Sequence, residues 1–188
     1  MSRSWTVAAL LILACVIAGA MAHTTPQFSG DTLTYLLIRE HALEVYRGAC
    51  DGSWNPLLQM GYPFHAESEG ALFYPVQLAL YAMLPVADAF VATFFVHMAA
   101  MAFFSYLYFR RIGISDAGSL VAALAYVGCG YFTRHYGHEW SYRTGAWFPL
   151  ILYLTHRIVL DREPRWGVAL AAAVACQWLG GHYNIAYW

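Results

Sequence analysis

Residues 5–22 read WTVAALLILACVIAGAMA, eighteen consecutive positions without a charge, preceded by Arg3. A membrane-crossing helix needs about 20 predominantly apolar residues, with about 17–25 as the working range. Ala20-Met21-Ala22 also fits the small-residue pattern of a signal-peptide cleavage site, which is the rival reading. The run is long for a signal-peptide core of about 7–15 residues, so an uncleaved anchor over residues 1–22 is the reading preferred. On either reading, the segment after His23 is sent outward.

Four more apolar runs lie downstream, at 89–109, 117–132, 145–160 and 166–187. Composition agrees with a membrane protein: 60% of the 188 residues are hydrophobic and only 11% charged, with a mean hydropathy of +0.47. A soluble domain carries about 25% charge. The 10 basic residues are all arginine and stand against 11 acidic ones, leaving a net charge of −1. That balance lacks the basic footprint of a nucleic-acid partner. Cys15, Cys129 and Cys176 fall in apolar runs and only Cys50 lies in a polar loop, so neither a disulfide framework nor a zinc ribbon is indicated.

Between the first span and the next, residues 23–70 hold Asp31, Glu40, Glu44, Asp51, Glu67 and Glu69 against only Arg39 and Arg47. Gly30-Asp31 ahead of residues 32–47 predicts a short helix with Asp31 as its N-cap. Gly52-Ser53-Trp54-Asn55-Pro56 and Gly61-Tyr62-Pro63 are turn chemistry. Residues 72–84 are too short for a span and are interrupted by Pro75, which suits a re-entrant or interfacial helix. Placing Arg3, Arg110, Arg111, Arg157, Arg162 and Arg165 inside satisfies the positive-inside rule with the N-terminus cytoplasmic.

The expected fold is therefore all-α, a polytopic transmembrane helical bundle. Residues 1–22 form the first span, 23–88 a long external loop with short helices, and 89–188 four further spans. Gly118, Ala122 and Ala125, and Ala169, Ala172 and Ala173, stand at helical spacing and predict close helix contacts. No internal repeat is visible, and the end of the chain without a polar tail reads as the front part of something longer.

With that topology the unusual polar residues gather on the outer face. They are Asp31, His65, Glu67, Glu69, Arg134, His135, His138, Glu139, Arg143 and His182. Polar groups at membrane depth are functional candidates. Each also has a plain reading: Asp31 as a helix cap, Glu67 and Glu69 as solvated charges, Arg134 and Arg143 as interfacial anchors, His182 as a packing residue. His135 and His138 have metal-ligand spacing but no third ligand nearby. His97 and His156 are expected to face neighbouring helices, and Asp88 and Asp116 to mark helix boundaries. As a set, a carboxylate can take a proton from an attacking hydroxyl. Arginines and histidines can hold a departing phosphate, and two further acids can hold a divalent cation, magnesium or manganese. No Gly-rich phosphate loop, Ser-His-Asp arrangement or HExxH is present.

The order of several short pieces adds a resemblance. An Asp follows the first span, and then come Trp54-Asn55-Pro56, Gly61-Tyr62-Pro63, Phe73-Tyr74-Pro75, His97, Arg110-Arg111-Ile112-Gly113, Ala146-Trp147-Phe148-Pro149-Leu150 and Gly181-His182. From Gly30 onward this resembles the N-terminal region of bacterial YfhO-type membrane proteins, which belong with the GT-C glycosyltransferases. The resemblance implies a multi-pass enzyme of the bacterial cytoplasmic membrane with its site facing outside. Its donor would be a polyprenyl-phosphate-linked sugar and its acceptor a cell-envelope glycan. It places the catalytic acid at Asp31; from their place on the outer face, Glu67 and Glu69 are expected to assist and Arg134, His138, Arg143 and His182 to hold the lipid phosphate of the substrate. The chain departs from the family at Gly181-His182-Tyr183-Asn184, where members often show Gly-His-Pro-Gln. Members are also much longer. The alternative class is a transporter or flippase-like subunit that binds a lipid-linked substrate, whose ionisable groups belong near the midplane. A structural subunit is a third, in which the external acids are replaceable.

Overall fold

The computed structural model describes residues 3–24, 30–135 and 137–187, with side chains described for 6–20, 33–135, 137–184 and 186. Among the described residues every extended regular element is a helix. The elements are α1 (Arg3–Thr24), α2 (Gly30–Tyr46), α3 (Pro75–Met83), α4 (Val86–Arg111), α5 (Asp116–Val127), α6 (Gly130–Arg134), α7 (Glu139–Val159), α8 (Gly167–Leu179) and α9 (Tyr183–Tyr187). One isolated antiparallel bridge, Asn55 to Tyr62, closes the turn chemistry of the long loop.

Local signals place several ends. Pro75 sits in the first turn of α3, where its missing N–H is not needed. The Ser115 hydroxyl accepts the Gly118 N–H at the start of α5, and Asp116 faces the positive end of that helix. Arg110 and Arg111 occupy the last turn of α4, where cations oppose the helix dipole favourably.

The core forms around α4, which packs against α1, α5, α7, α2 and α3. Leu10, Ala14 and Ala18, spaced by four, make a stripe on α1 that meets Phe94, Met98, Met101 and Ala102 of α4. Ala123 and Val127 of α5, Phe132 of α6, and Tyr142 and Ala146 of α7 complete this cluster. A second cluster of Tyr35, Ile38, Ala42, Phe64, Leu72 and Phe90 fastens α2 and the long loop to the start of α4.

One helix, α4, is long and apolar enough to cross a membrane among the described residues. The other expected spans look different in structure. α1 is 22 residues long and carries the apolar stretch Thr6–Ala20. α7 has 21 residues but includes Glu139, Arg143 and Arg157. The run at 117–132 breaks at Cys129, whose extended backbone separates the 12-residue α5 from α6. The glycines on either side of Cys129 make that break cheap. The run at 166–187 likewise splits at Gly180 into α8 and α9. At 1.5 Å per residue α5 and α8 are about 18–20 Å long, against a hydrocarbon core of about 30 Å. α3, at nine residues, is shorter still.

The small-residue stripes are also shifted. The buried face of α5 is Ser119, Ala123 and Val127 rather than Gly118, Ala122 and Ala125. On α8 the inward residues are Ala173 and Gln177, with Ala172 turned outward.

One end of the bundle is tied by surface ion pairs. Arg110 meets Asp116 at 2.7 Å, Arg111 reaches Asp161, and Arg157 bonds Asp161 and Glu163. Such partly exposed pairs add little stability individually, but they join the turn after α4 to the turn after α7. His97, midway along α4, is fully engaged: its Nδ1 lies 2.6 Å from the Thr93 carbonyl and its Nε2 2.5 Å from the Tyr74 hydroxyl. Trp147 donates to that same hydroxyl at 2.9 Å, so the histidine faces its neighbours as expected and serves packing.

Candidate functional site

At the other end of the bundle three charged side chains are completely buried: Arg39 of α2, and Glu139 and Arg143 of α7. Glu139 and Arg143 are four residues apart and so share one face of α7. The Arg39 Nε donates to Glu139 Oε2 at 2.6 Å, and the Tyr81 hydroxyl donates to Oε1 at 3.4 Å. Arg143 Nη1 lies 4.0 Å from the same carboxylate and donates to Gln77 Oε1 at 2.5 Å. Burial works to strip Arg39 of its proton, but the adjoining Glu139 carboxylate outweighs it and holds the guanidinium well above its ordinary value.

Two guanidiniums and one carboxylate leave a buried excess of positive charge. Backbone dipoles offset it. Arg39 Nη1 donates to the Gly70 carbonyl, Arg39 Nη2 to the Glu69 carbonyl at 2.7 Å, and Arg143 Nη2 to the Glu69 carbonyl at 3.1 Å. Gln77 Nε2 adds bonds to the Gly70 and Ala71 carbonyls at 3.0 and 3.1 Å. The arginines therefore clamp residues 69–71 of the long loop by their carbonyls.

With its carbonyl held inward, Glu69 directs its carboxylate to the cleft. Oε2 accepts the Tyr35 hydroxyl at 2.7 Å, and Oε1 lies 3.7 Å from His182 Nε2. Trp140 Nε1 donates to the Tyr35 oxygen at 2.9 Å. Burial and then the Glu69 carboxylate push the Tyr35 hydroxyl well above its ordinary value, so Tyr35 stays a donor and does not serve as a base. Glu67 is used differently: its two oxygens accept the Glu69 and Gly70 backbone N–H groups, bracing the turn. Both acids line a cleft of about 400 Å³ with Thr34, Tyr35, Ile38 and Tyr62.

His182 reaches the Glu69 carboxylate, not the lining of the cleft itself, through a close approach of backbone. Its ring centroid is 4.8 Å from that of Trp140, and the preceding Gly181 has φ +138°. A Cβ on Gly181 would lie 2.7 Å from Trp140 Cβ. Gly181→Ala is therefore expected to destabilise the fold by more than about 1 kcal/mol, because the left-handed backbone is unfavourable for alanine and the space is taken. A lowered melting temperature in detergent checks this.

Of the residues singled out by sequence, Glu67, Glu69 and His182 come together. His138 precedes α7, with its ring 5.3 Å from that of Trp140 and 6.1 Å from that of Tyr35. Arg134 is exposed at the end of α6 and does not line the cleft. Arg143, expected to hold a lipid phosphate, instead faces the interior beside Glu139 and positions the loop. Asp31 falls inside the first turn of α2 rather than at its cap, one turn before Tyr35, and its side chain lies outside the described residues. No family model, curated protein or solved structure matches the chain. The role of the site must be read from its own geometry.

Sequence reasoning missed Arg39, Tyr35 and Gln77. The signal available was the Glu139–Arg143 spacing, which puts an ion pair on one face of an apolar helix and so marks a polar site inside it. The two loop acids make a poor magnesium or manganese site. A hard cation of that kind takes about six oxygen ligands; Glu67 is spent on backbone N–H groups, and Glu69 is shared between Tyr35 and His182.

Proposed function

We propose that this chain is part of a membrane glycosyltransferase. It would transfer a sugar from a polyprenyl-phosphate donor to a glycan acceptor outside the bacterial cytoplasmic membrane. The observation that carries the reading is the Glu69 carboxylate, held in a cleft with Tyr35 by a clamp of buried arginines and met by His182 at 3.7 Å. In this reading α1, α4, α5–α6, α7 and α8–α9 cross the bilayer from a cytoplasmic N-terminus. Large apolar side chains exposed on the bundle support it, among them Ile12, Val16, Val96, Val121 and Val168. So does the separation of the arginine-rich turns at one end from the cleft at the other.

The chemistry rests on the side chains. The Asp31 carboxylate takes the proton of the acceptor hydroxyl as its oxygen bonds to the anomeric carbon, and Glu69 accepts that proton in turn. The anomeric C–O bond to the lipid phosphate breaks, its electron pair leaving with the phosphate. His182 and His138 donate hydrogen bonds to the departing oxygens. Thr34 and Tyr62 supply hydroxyls for the sugar, and the arginine clamp keeps Glu69 in place without touching substrate.

The test is sugar transfer in membranes carrying the complete open reading frame, with and without Asp31→Asn. The substitution keeps size and removes charge. A fall in turnover of about 100-fold or more, with donor binding retained, is expected for a lost acid–base group. Unchanged turnover makes Asp31 a structural residue. Absence of transfer by the unmutated protein from any polyprenyl-phosphate donor overturns the reading in favour of a lipid-substrate transporter.

A further inference from the structure

We infer that His41, Glu44 and Cys50 form a metal site of the zinc class at the C-terminal end of α2. This inference does not rest on the glycosyltransferase reading. His41 is 2% exposed, yet neither of its ring nitrogens has a hydrogen-bond partner. Leaving a buried polar group unsatisfied costs about 1–3 kcal/mol, and buried histidines normally avoid it. The ring is wedged edge-on against Phe64, with centroids 4.9 Å apart, so it cannot swing out to water without disturbing the loop core.

Two further donors stand beside it. Glu44 Oε2 is 3.7 Å from His41 Nδ1, and the ligand atoms of His41, Glu44 and Cys50 all lie within 4.8 Å of one another. Two ligands at about 2.0–2.3 Å from one tetrahedral zinc are about 3.6 Å apart, so small side-chain rotations close the site. His41 and Glu44 are one turn apart on the helix. Cys50 is returned to them by the way α2 ends. Gly48 takes φ +72°, its N–H bonds the Val45 carbonyl at 3.0 Å, and the Ala49 N–H bonds the Glu44 carbonyl at 2.9 Å. This paired closure reverses the chain over the last turn.

The donor chemistry selects the metal. An imidazole, a thiolate and a carboxylate suit zinc and disfavour magnesium or calcium, which take oxygen ligands. Binding replaces the Cys50 thiol proton, which is released to solvent, and uses neutral His41. The half-exposed Glu44 leaves the fourth position open to water.

The experiment uses untagged intact protein in detergent, stripped with chelator and titrated with cobalt(II), whose spectrum reports ligands directly. One cobalt per chain is expected, with tetrahedral visible bands and a thiolate-to-cobalt charge-transfer band, both removed by zinc. Cys50→Ser should lose the charge-transfer band, while Cys176→Ser keeps it. Should Cys50→Ser fail to fold, Glu44→Gln on the surface is expected to weaken cobalt binding at least about tenfold, as loss of even an outer partner does. No saturable cobalt spectrum, a band that survives Cys50→Ser, or unchanged affinity in Glu44→Gln overturns the site.

Discussion

Glu139→Gln is expected to destabilise the protein by about 3–5 kcal/mol, the usual consequence of removing one partner from a buried ion pair. The substitution preserves shape, so packing is not the cause. It leaves Arg39 and Arg143 facing a neutral amide, both fully buried, with only carbonyls and Gln77 to offset two positive charges. Arg39→Met should be milder, because Glu139 then keeps Arg143 at 4.0 Å as its counter-charge. Combining the two changes should cost less than the sum of the single effects, since the residues touch. Denaturant unfolding in detergent of the four proteins checks the order. Equal stability of Glu139→Gln and the unmutated protein would remove the clamp from the account of the fold.

Glu69→Gln is expected to lower sugar transfer by about 100- to 10,000-fold, the range over which a positioned acid–base group contributes. The fold should survive. The arginines hold Glu69 by its backbone carbonyl, and a glutamine amide oxygen still accepts from Tyr35. Glu67→Gln should act in the opposite sense, sparing turnover more than stability, because it weakens the bonds from the Glu69 and Gly70 N–H groups. Paired measurement of turnover and melting temperature for both variants separates the roles. Full activity in Glu69→Gln with loss in Glu67→Gln would reverse the assignment.

The parts that sequence could reveal are those governed by local pattern. The long apolar run of α4, the shortness of α3 and the turns around Asn55 and Tyr62 all arise from residues close together. His182 beside a loop acid is legible only through the expectation that both lie on one face of a membrane. The breaks at Cys129 and Gly180 are hidden because an apolar run looks the same whether or not one residue turns extended. The inward turn of Arg143 is hidden for another reason. Its surroundings come from α2, α3 and the long loop, and no period within α7 encodes them. Asp31 shows the ordinary uncertainty of helix ends, one or two positions in either direction.

The pairing of Arg39 with Glu139 spans 100 positions of chain. At a synthesis rate of about 5–20 residues per second, Arg39 emerges about 5–20 s before the carboxylate that neutralises it. During that interval α2 cannot enter its final resting place, because the guanidinium must remain hydrated. The clamp on residues 69–71 is consequently among the later parts of the molecule to take shape, set only after α7 is delivered. A ribosome stalled between the end of α4 and Glu139 would display α1 and α4 with α2 still unlatched, the form most exposed to proteases and chaperones.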